Sequence, residues 1–109
     1  MSAVVAERID PDLARELWTS FVSLLRGYTA AHGLNRVRQA VLEVSDNRLL
    51  VRAGERLLTI RFEGGSGAWQ RESGAATEFM LDEHGRLIVN GTAEEMDIVA
   101  ERLAREIMR

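Results

Sequence analysis

The chain has 109 residues, which is enough for one domain and too few for two. Hydrophobic residues make up 46% of it and charged residues 28%, a composition that excludes disordered and fibrous proteins. There is no cysteine, which excludes disulfides, cysteine-based metal sites and thiol nucleophiles. The net charge of −3 argues against a nucleic-acid partner, because proteins that bind nucleic acids usually carry a basic face.

The sequence predicts a single domain over residues 1–109, with residues 1–9 as a loose N-terminal arm. No apolar run approaches the roughly 20 residues that cross a bilayer, and the start of the chain lacks the basic leader of a signal peptide. We therefore expect a cytoplasmic protein with no membrane partner. All 14 basic residues are arginine, which indicates a GC-rich bacterial genome more strongly than a preference for anionic ligands.

The first predicted element is a helix over residues 11–32. Asp10 followed by Pro11 is a strong helix start, because the carboxylate caps free backbone N–H groups and proline fixes φ without needing a donor. Apolar residues then recur at helical spacing, and Gly33 is a natural residue to end the helix.

From residue 36 the hydrophobic period changes from 3.6 to 2, which predicts strands. Two-residue turns such as Asp46-Asn47 and Gly54-Glu55 separate them, so the strands should form an antiparallel meander. The pattern predicts five or six strands, over residues 37–45, 48–53, 57–63, 68–72, 77–82 and 87–90.

The last predicted element is a second helix over residues 93–108. Thr92 with Glu95 three residues later has the pattern of a capping box, in which each side chain satisfies a free backbone N–H. Asn90-Gly91 favours a β-hairpin instead, and we take the capping box to outweigh it.

Together these elements predict an α+β two-layer sandwich with both helices on one face of the sheet. At the level of topology this arrangement resembles the frataxin-like sandwich, a sheet flanked by terminal helices. Frataxins present an acidic first helix for iron, whereas here Asp12 and Glu16 are balanced by Arg15 and Arg26. The resemblance therefore implies the fold and no function.

The residues that could carry chemistry have structural explanations. The glycine-rich segment 64–68 lacks the lysine and following helix of a phosphate loop, so it predicts a hairpin loop. His32 lies at a helix C-terminus, where a histidine has an ordinary structural role. Asp82, Glu83 and His84 follow one another in a turn, so their side chains would diverge instead of converging on a metal. The sequence predicts no metal and no cofactor. No carboxylate falls within an apolar face, so an enzyme is not supported and stays open as a third function class behind a partner-binding and a ligand-binding domain.

Arg48, Arg52 and Arg61, with Arg38 as a further candidate, fall on the second face of the predicted sheet and could form an anion-binding surface. Four carboxylates lie nearby in the meander and are expected to pair with these arginines across strands: Glu43, Glu63, Glu72 and Glu78. A solvated face of ion pairs is therefore favoured over a ligand site.

The apolar arc of the first helix spans about 180°, more than packing on one sheet requires. Taking Leu17 and Tyr28 as the centre of this arc leaves Trp18, Val22 and Leu25 on its flank. On the second helix, Ile98 points away from the core. Either a curved sheet wraps around the first helix, or these four residues form a surface for a partner.

We therefore expect a small interaction or adaptor domain without catalysis, forming a homodimer and binding an unidentified protein partner. The alternative is a domain that binds a small ligand or an anion, either in the cleft between helices and sheet or on the arginine-bearing face.

Overall fold

Two helices cover one face of an antiparallel sheet in the computed structural model, which describes residues 9–33 and 40–109. This confirms the predicted α+β architecture, with a seventh strand added. The elements are α1 (Pro11–His32), β1 (Val41–Ser45), β2 (Arg48–Ala53), β3 (Arg56–Glu63), β4 (Ser66–Arg71), β5 (Thr77–Leu81), β6 (Arg86–Val89), β7 (Thr92–Glu95) and α2 (Met96–Ile107).

The sheet is a meander in which every strand pairs with the next one in the chain, so the spatial order is β1 to β7. Short turns join the strands, which leaves antiparallel pairing as the available geometry. Side chains alternate between the two faces along each strand. One face is covered by the helices, and the other, which we call the open face, carries no element of the described residues.

The core lies between the helices and the covered face of the sheet. On the sheet side it contains aliphatic and aromatic residues that alternate with exposed ones: Leu49, Val51, Leu58, Ile60, Phe62, Trp69, Phe79, Leu81 and Leu87. Helix α2 contributes Met96, Val99 and Leu103 to the same cluster. The period of two in the strands and the period of 3.6 in the helix therefore meet in one core, as the sequence patterns predict.

Helix α1 begins and ends where the sequence predicts. The Asp10 carboxylate accepts hydrogen bonds from the backbone N–H groups of Asp12 and Leu13, at 3.0 and 3.1 Å. At the other end Gly33 has a right-handed conformation, and its N–H continues the helical bonding to the carbonyl of Thr29 at 2.9 Å. Side-chain capping by Asp10 thus determines the start of this helix, whereas Gly33 does not adopt the left-handed conformation of a glycine cap at its end.

The predicted capping box at Thr92 is wrong. Residues 92–95 form strand β7, paired with β6, and helix α2 begins at Met96 without a side-chain cap at Glu95. Asn90 and Gly91 have φ values of 53° and 80°, and positive φ at both central residues is the type I′ pattern that tight hairpins favour. The hairpin therefore forms in place of the first turn of the helix.

An ion pair joins β7 to the helix that follows it. Glu94 lies opposite Leu87, on the covered face, and its carboxylate accepts a hydrogen bond of 2.7 Å from Arg102 of α2. That bond is the main cause that raises the pKa of Arg102 above its ordinary value. Glu94 thus gains a partner as a strand residue that it would not have in a helical first turn.

The predicted N-terminal arm lies outside the described residues, except for Ile9. Ile9 is partly buried and packs against the core beside Gly65. Residues 37–39 of the first predicted strand, which include Arg38, also lie outside the described residues.

Candidate functional site

The structure places three of the four predicted partner-surface residues inside the core. Trp18 and Val22 are 5% and 7% exposed, and Leu25 is fully buried. The Trp18 ring stacks on Phe62 of β3, with the ring centres 5.0 Å apart and the planes 5° from parallel. The prediction of an exposed ridge on α1 is therefore wrong, and it no longer supports a homodimer.

The ridge is buried because α1 has two neighbours instead of one. It packs against α2 as well as against the sheet, so its apolar arc must be wider than a single contact requires. Leu17 and Tyr28, taken from the sequence as the centre of the arc, are only partly buried. The helix is thus rotated so that Trp18 and Leu25 point inward.

Ile98 is exposed, as predicted, with 55% of its surface accessible on helix α2. The residues one turn further along the same side of the helix, Glu101 and Arg102, are charged, so Ile98 has no apolar partner there. Single exposed apolar residues are ordinary on protein surfaces. Without the α1 ridge, Ile98 alone does not define an interface.

The two histidines have structural surroundings. His32 at the end of α1 lies 3.0 Å from the carboxylate of Glu101 on α2, which links the two helices. His84 is exposed in the β5–β6 turn, 3.9 Å from Glu83. Among residues 9–33 and 40–109, no three metal-ligating side chains converge in one place.

Asp82 organises the β5–β6 turn. Its carboxylate accepts hydrogen bonds from the backbone N–H groups of His84 and Arg86, at 2.9 and 2.8 Å, and from Nε of Arg86 at 2.9 Å. Burial raises the pKa of Asp82, but the hydrogen bonds from Arg86 and His84 outweigh it, so this pKa is lowered overall. The acidic turn is therefore held by its own ion pair.

We expect Asp82→Asn to destabilise the protein at pH 7 by about 1.5–3 kcal/mol, the range for hydrogen bonds to a charged group. Because folding lowers the pKa of Asp82, the stabilisation is present above the unfolded pKa and is lost as pH falls through the folded pKa. Urea unfolding of both proteins between pH 7 and pH 2 should show the difference shrinking below about pH 4.

The matched control for this experiment is Asp46→Asn in the β1–β2 turn, because the Asp46 side chain makes no hydrogen bond with the described residues. Asp46→Asn should change stability by less than about 0.5 kcal/mol at every pH. A pH-independent loss in Asp82→Asn would contradict the assigned role of the carboxylate.

A broad groove of about 1070 Å³ crosses the open face of the sheet. It runs from the β1–β2 turn, at Ser45 and Asn47, to the β6–β7 turn, at Asn90 and Gly91. Because neighbouring strands lie about 4.8 Å apart, its span from β2 to β6 is roughly 19 Å. This groove on the open face is the candidate site.

Two of the predicted anion-face residues, Arg48 and Arg61, line the groove side by side. The β2–β3 register places them directly opposite each other on the open face. Neither makes an ion pair or a side-chain hydrogen bond within the described part of the chain. The third residue, Arg52, lies outside the groove and approaches Glu43 at 4.0 Å.

The predicted network of cross-strand ion pairs is therefore only partly formed. Glu43 meets Arg52, but the Glu72 carboxylate accepts a hydrogen bond from the backbone N–H of Leu57 at 3.1 Å. That bond is the main cause that lowers the pKa of Glu72. Glu63 and Glu78 line the groove without reaching Arg48 or Arg61 within 4 Å.

The apolar part of the groove was not predicted from the sequence. Met80 and Ile88 lie opposite each other on β5 and β6, and Met80 is 43% exposed. Ala68 pairs with Arg61 on one side and with Glu78 on the other, and its small side chain rises little above the sheet at the floor of the groove. Along β5, Phe79 and Leu81 alternate with Glu78 and Met80, which places Met80 on the open face. This alternation is the sequence signal from which the apolar part of the groove could have been predicted.

Comparison with known proteins found no family model, no curated protein and no solved structure that matches this chain. Neither described helix has both the length and the apolar content that crossing a membrane requires. The groove on the open face is therefore the feature of this protein that bears on its function.

Proposed function

We propose that this protein is a binding domain without catalytic activity, and that its site is the groove on the open face of the sheet. The observation that carries this proposal is the lining of the groove. Two arginines with no partner among the described residues, two carboxylates, the exposed Met80 and the half-buried Ile88 occupy one continuous surface. On an exposed sheet face, charged side chains on neighbouring strands normally form pairs. On this open face such pairing does not extend beyond β2.

The ligand that fits this lining is a segment of a partner protein. The groove offers cationic groups at β2 and β3, carboxylates on β3 and β5, and apolar contacts at Met80 and Ile88. A polypeptide can present anionic, cationic and apolar groups within about 19 Å, which is the length of roughly six extended residues. An inorganic ion or a purely apolar molecule would match only part of this surface.

The exposed carboxylates Glu63 and Glu78 do not favour an enzyme. General acid–base catalysis works best where a carboxylate lies in a pocket that excludes water. Both side chains instead belong to exposed residues on an open surface. A binding role needs only the charge of these carboxylates, because charges at the rim of an interface direct the choice of partner.

The test selects 12-residue peptides from a random display library on the full chain and measures their affinity for two variants. Met80→Glu adds a charge within the groove, whereas Ile98→Glu makes the same kind of change at an exposed position on α2. We expect the selected peptides to bind Met80→Glu at least about tenfold more weakly, a loss of about 1.4 kcal/mol. Ile98→Glu should bind like the wild type.

Fluorescence anisotropy with labelled peptides gives these affinities, and thermal melting confirms that both variants fold. The proposal fails if selection enriches no binding peptide. It fails equally if the enriched peptides bind Met80→Glu as tightly as the wild type.

A further inference from the structure

We infer that Arg48 and Arg61 form an oxyanion subsite at one end of the groove, where a single carboxylate or phosphate group bridges the two guanidinium groups. This inference rests on the proposed function only in taking the groove as the site of binding. It adds the chemical class of the group that is recognised and the two residues that recognise it.

Arg48 and Arg61 bring two like charges together on the open face of the sheet. Arg48 and Arg61 are Cα partners in the β2–β3 register, and directly opposed side chains on one face have Cβ atoms about 4.5–5.5 Å apart. Two cations in that position repel each other and destabilise the pairing. An anion between them turns this repulsion into two attractive contacts.

Arg48 and Arg61 differ from the other arginines on the described strands. Each of the remaining four contacts an acceptor: Arg52 lies near Glu43, Arg56 donates to the backbone carbonyl of Glu106, Arg71 pairs with the carboxylate of Glu106, and Arg86 pairs with Asp82. Among the arginines of the described strands, only Arg48 and Arg61 lack such a partner.

The donor groups of Arg48 and Arg61 have a geometry that suits an oxyanion. Guanidinium groups present N–H pairs in a planar fork that matches the oxygens of carboxylate and phosphate. Two forks on adjacent strands can hold different oxygens of one group. The small side chains of Ser45, Ser66 and Ala68 line the groove beside them and leave room above the sheet.

The carboxylates in the groove limit how much negative charge it can accept. Glu63 lies two residues from Arg61 on the same face, and Glu78 lies two strands away across Ala68. Arg48, Arg61, Glu63 and Glu78 together have no net charge. A single anionic group at the arginine end fits this balance, whereas a polyanion such as nucleic acid would meet the carboxylates.

The test titrates the full isotope-labelled chain with sodium phosphate and, separately, with sodium acetate, and follows backbone amide shifts by NMR at constant ionic strength. Sodium chloride serves as the reference for non-specific screening. We expect a saturable response, with dissociation constants on the order of millimolar, centred on residues 45–48, 61 and 66–68. The salt that saturates at lower concentration identifies phosphate or carboxylate as the preferred group.

Three variants assign the response to particular side chains. Arg48→Gln and Arg61→Gln should each weaken binding of the preferred anion at least tenfold. Arg52→Gln is the matched control, because Arg52 lies on the same strand and face as Arg48 but outside the groove. It should bind the anion like the wild type, and all three should melt as cooperatively as the wild type.

The inference is overturned if neither anion saturates above the chloride reference, or if Arg52→Gln weakens binding as much as Arg48→Gln does. Its failure is distinct from failure of the proposed function. Peptides that bind the groove with no effect of Arg48→Gln or Arg61→Gln would retain the binding domain and remove the subsite. Anion binding without any selected peptide would retain the subsite and remove the proposed peptide-binding function.

Discussion

Trp18→Ala is expected to destabilise the protein by about 3–5 kcal/mol, the usual cost of removing a large aromatic side chain from a core. The indole is 5% exposed and stacks on Phe62 at 5.0 Å, with Phe21 tilted against it at 6.3 Å. A domain of this size is typically stable by about 5–15 kcal/mol, so the loss is a large part of the total. Urea unfolding followed by tryptophan fluorescence and circular dichroism measures it.

Ile98→Ala is the control for Trp18→Ala, because Ile98 is an exposed apolar residue on the other helix. It should change stability by less than about 0.5 kcal/mol. Light scattering on the same samples tests the opposite hypothesis, in which Trp18 belongs to an interface. A Trp18→Ala protein that keeps its stability and halves its mass would show that the indole packs against a second copy.

Gly67→Ala is expected to destabilise the protein by about 1–3 kcal/mol or more, although it adds only one methyl group. A Cβ at this position would overlap the backbone carbonyl oxygen of Arg61 and lie 2.7 Å from Cζ of Phe79. The carbonyl belongs to the neighbouring strand, and the ring stacks against Trp69 with centres 5.3 Å apart. Neither neighbour can move without disturbing the ladder or the aromatic cluster, so the cost is not relieved.

Gly27→Ala is the matched control for Gly67→Ala. Gly27 lies within α1, and a Cβ there meets nothing within 4 Å. The same change should therefore stabilise the protein by about 0.5–1 kcal/mol, because alanine loses less conformational freedom in a helix than glycine does. Thermal unfolding of both variants should give shifts of opposite sign, and a stable Gly67→Ala protein would contradict the packing described at β4.

Only part of the groove could be predicted from the sequence. Period-two alternation places Arg48 and Arg61 on the open face, and this much was predicted correctly. Whether each arginine meets a carboxylate depends on register, because a shift by two residues keeps every side chain on its face and changes every cross-strand partner. The observed register pairs Arg48 with Arg61, which left both without the expected acidic partners.

By itself the sequence determined those features that are decided within a few residues. Asp10 caps α1 because its carboxylate reaches N–H groups two and three residues ahead, and the strands through β6 follow from local alternation. Tertiary contacts decided those features for which the local sequence is compatible with two structures. An apolar arc of about 180° does not fix the rotation of a helix, so packing against both α2 and the sheet turned Trp18 inward. Likewise, Asn90-Gly91 and Thr92 favour competing structures, and hydrogen bonding of residues 92–95 to β6 selected the hairpin.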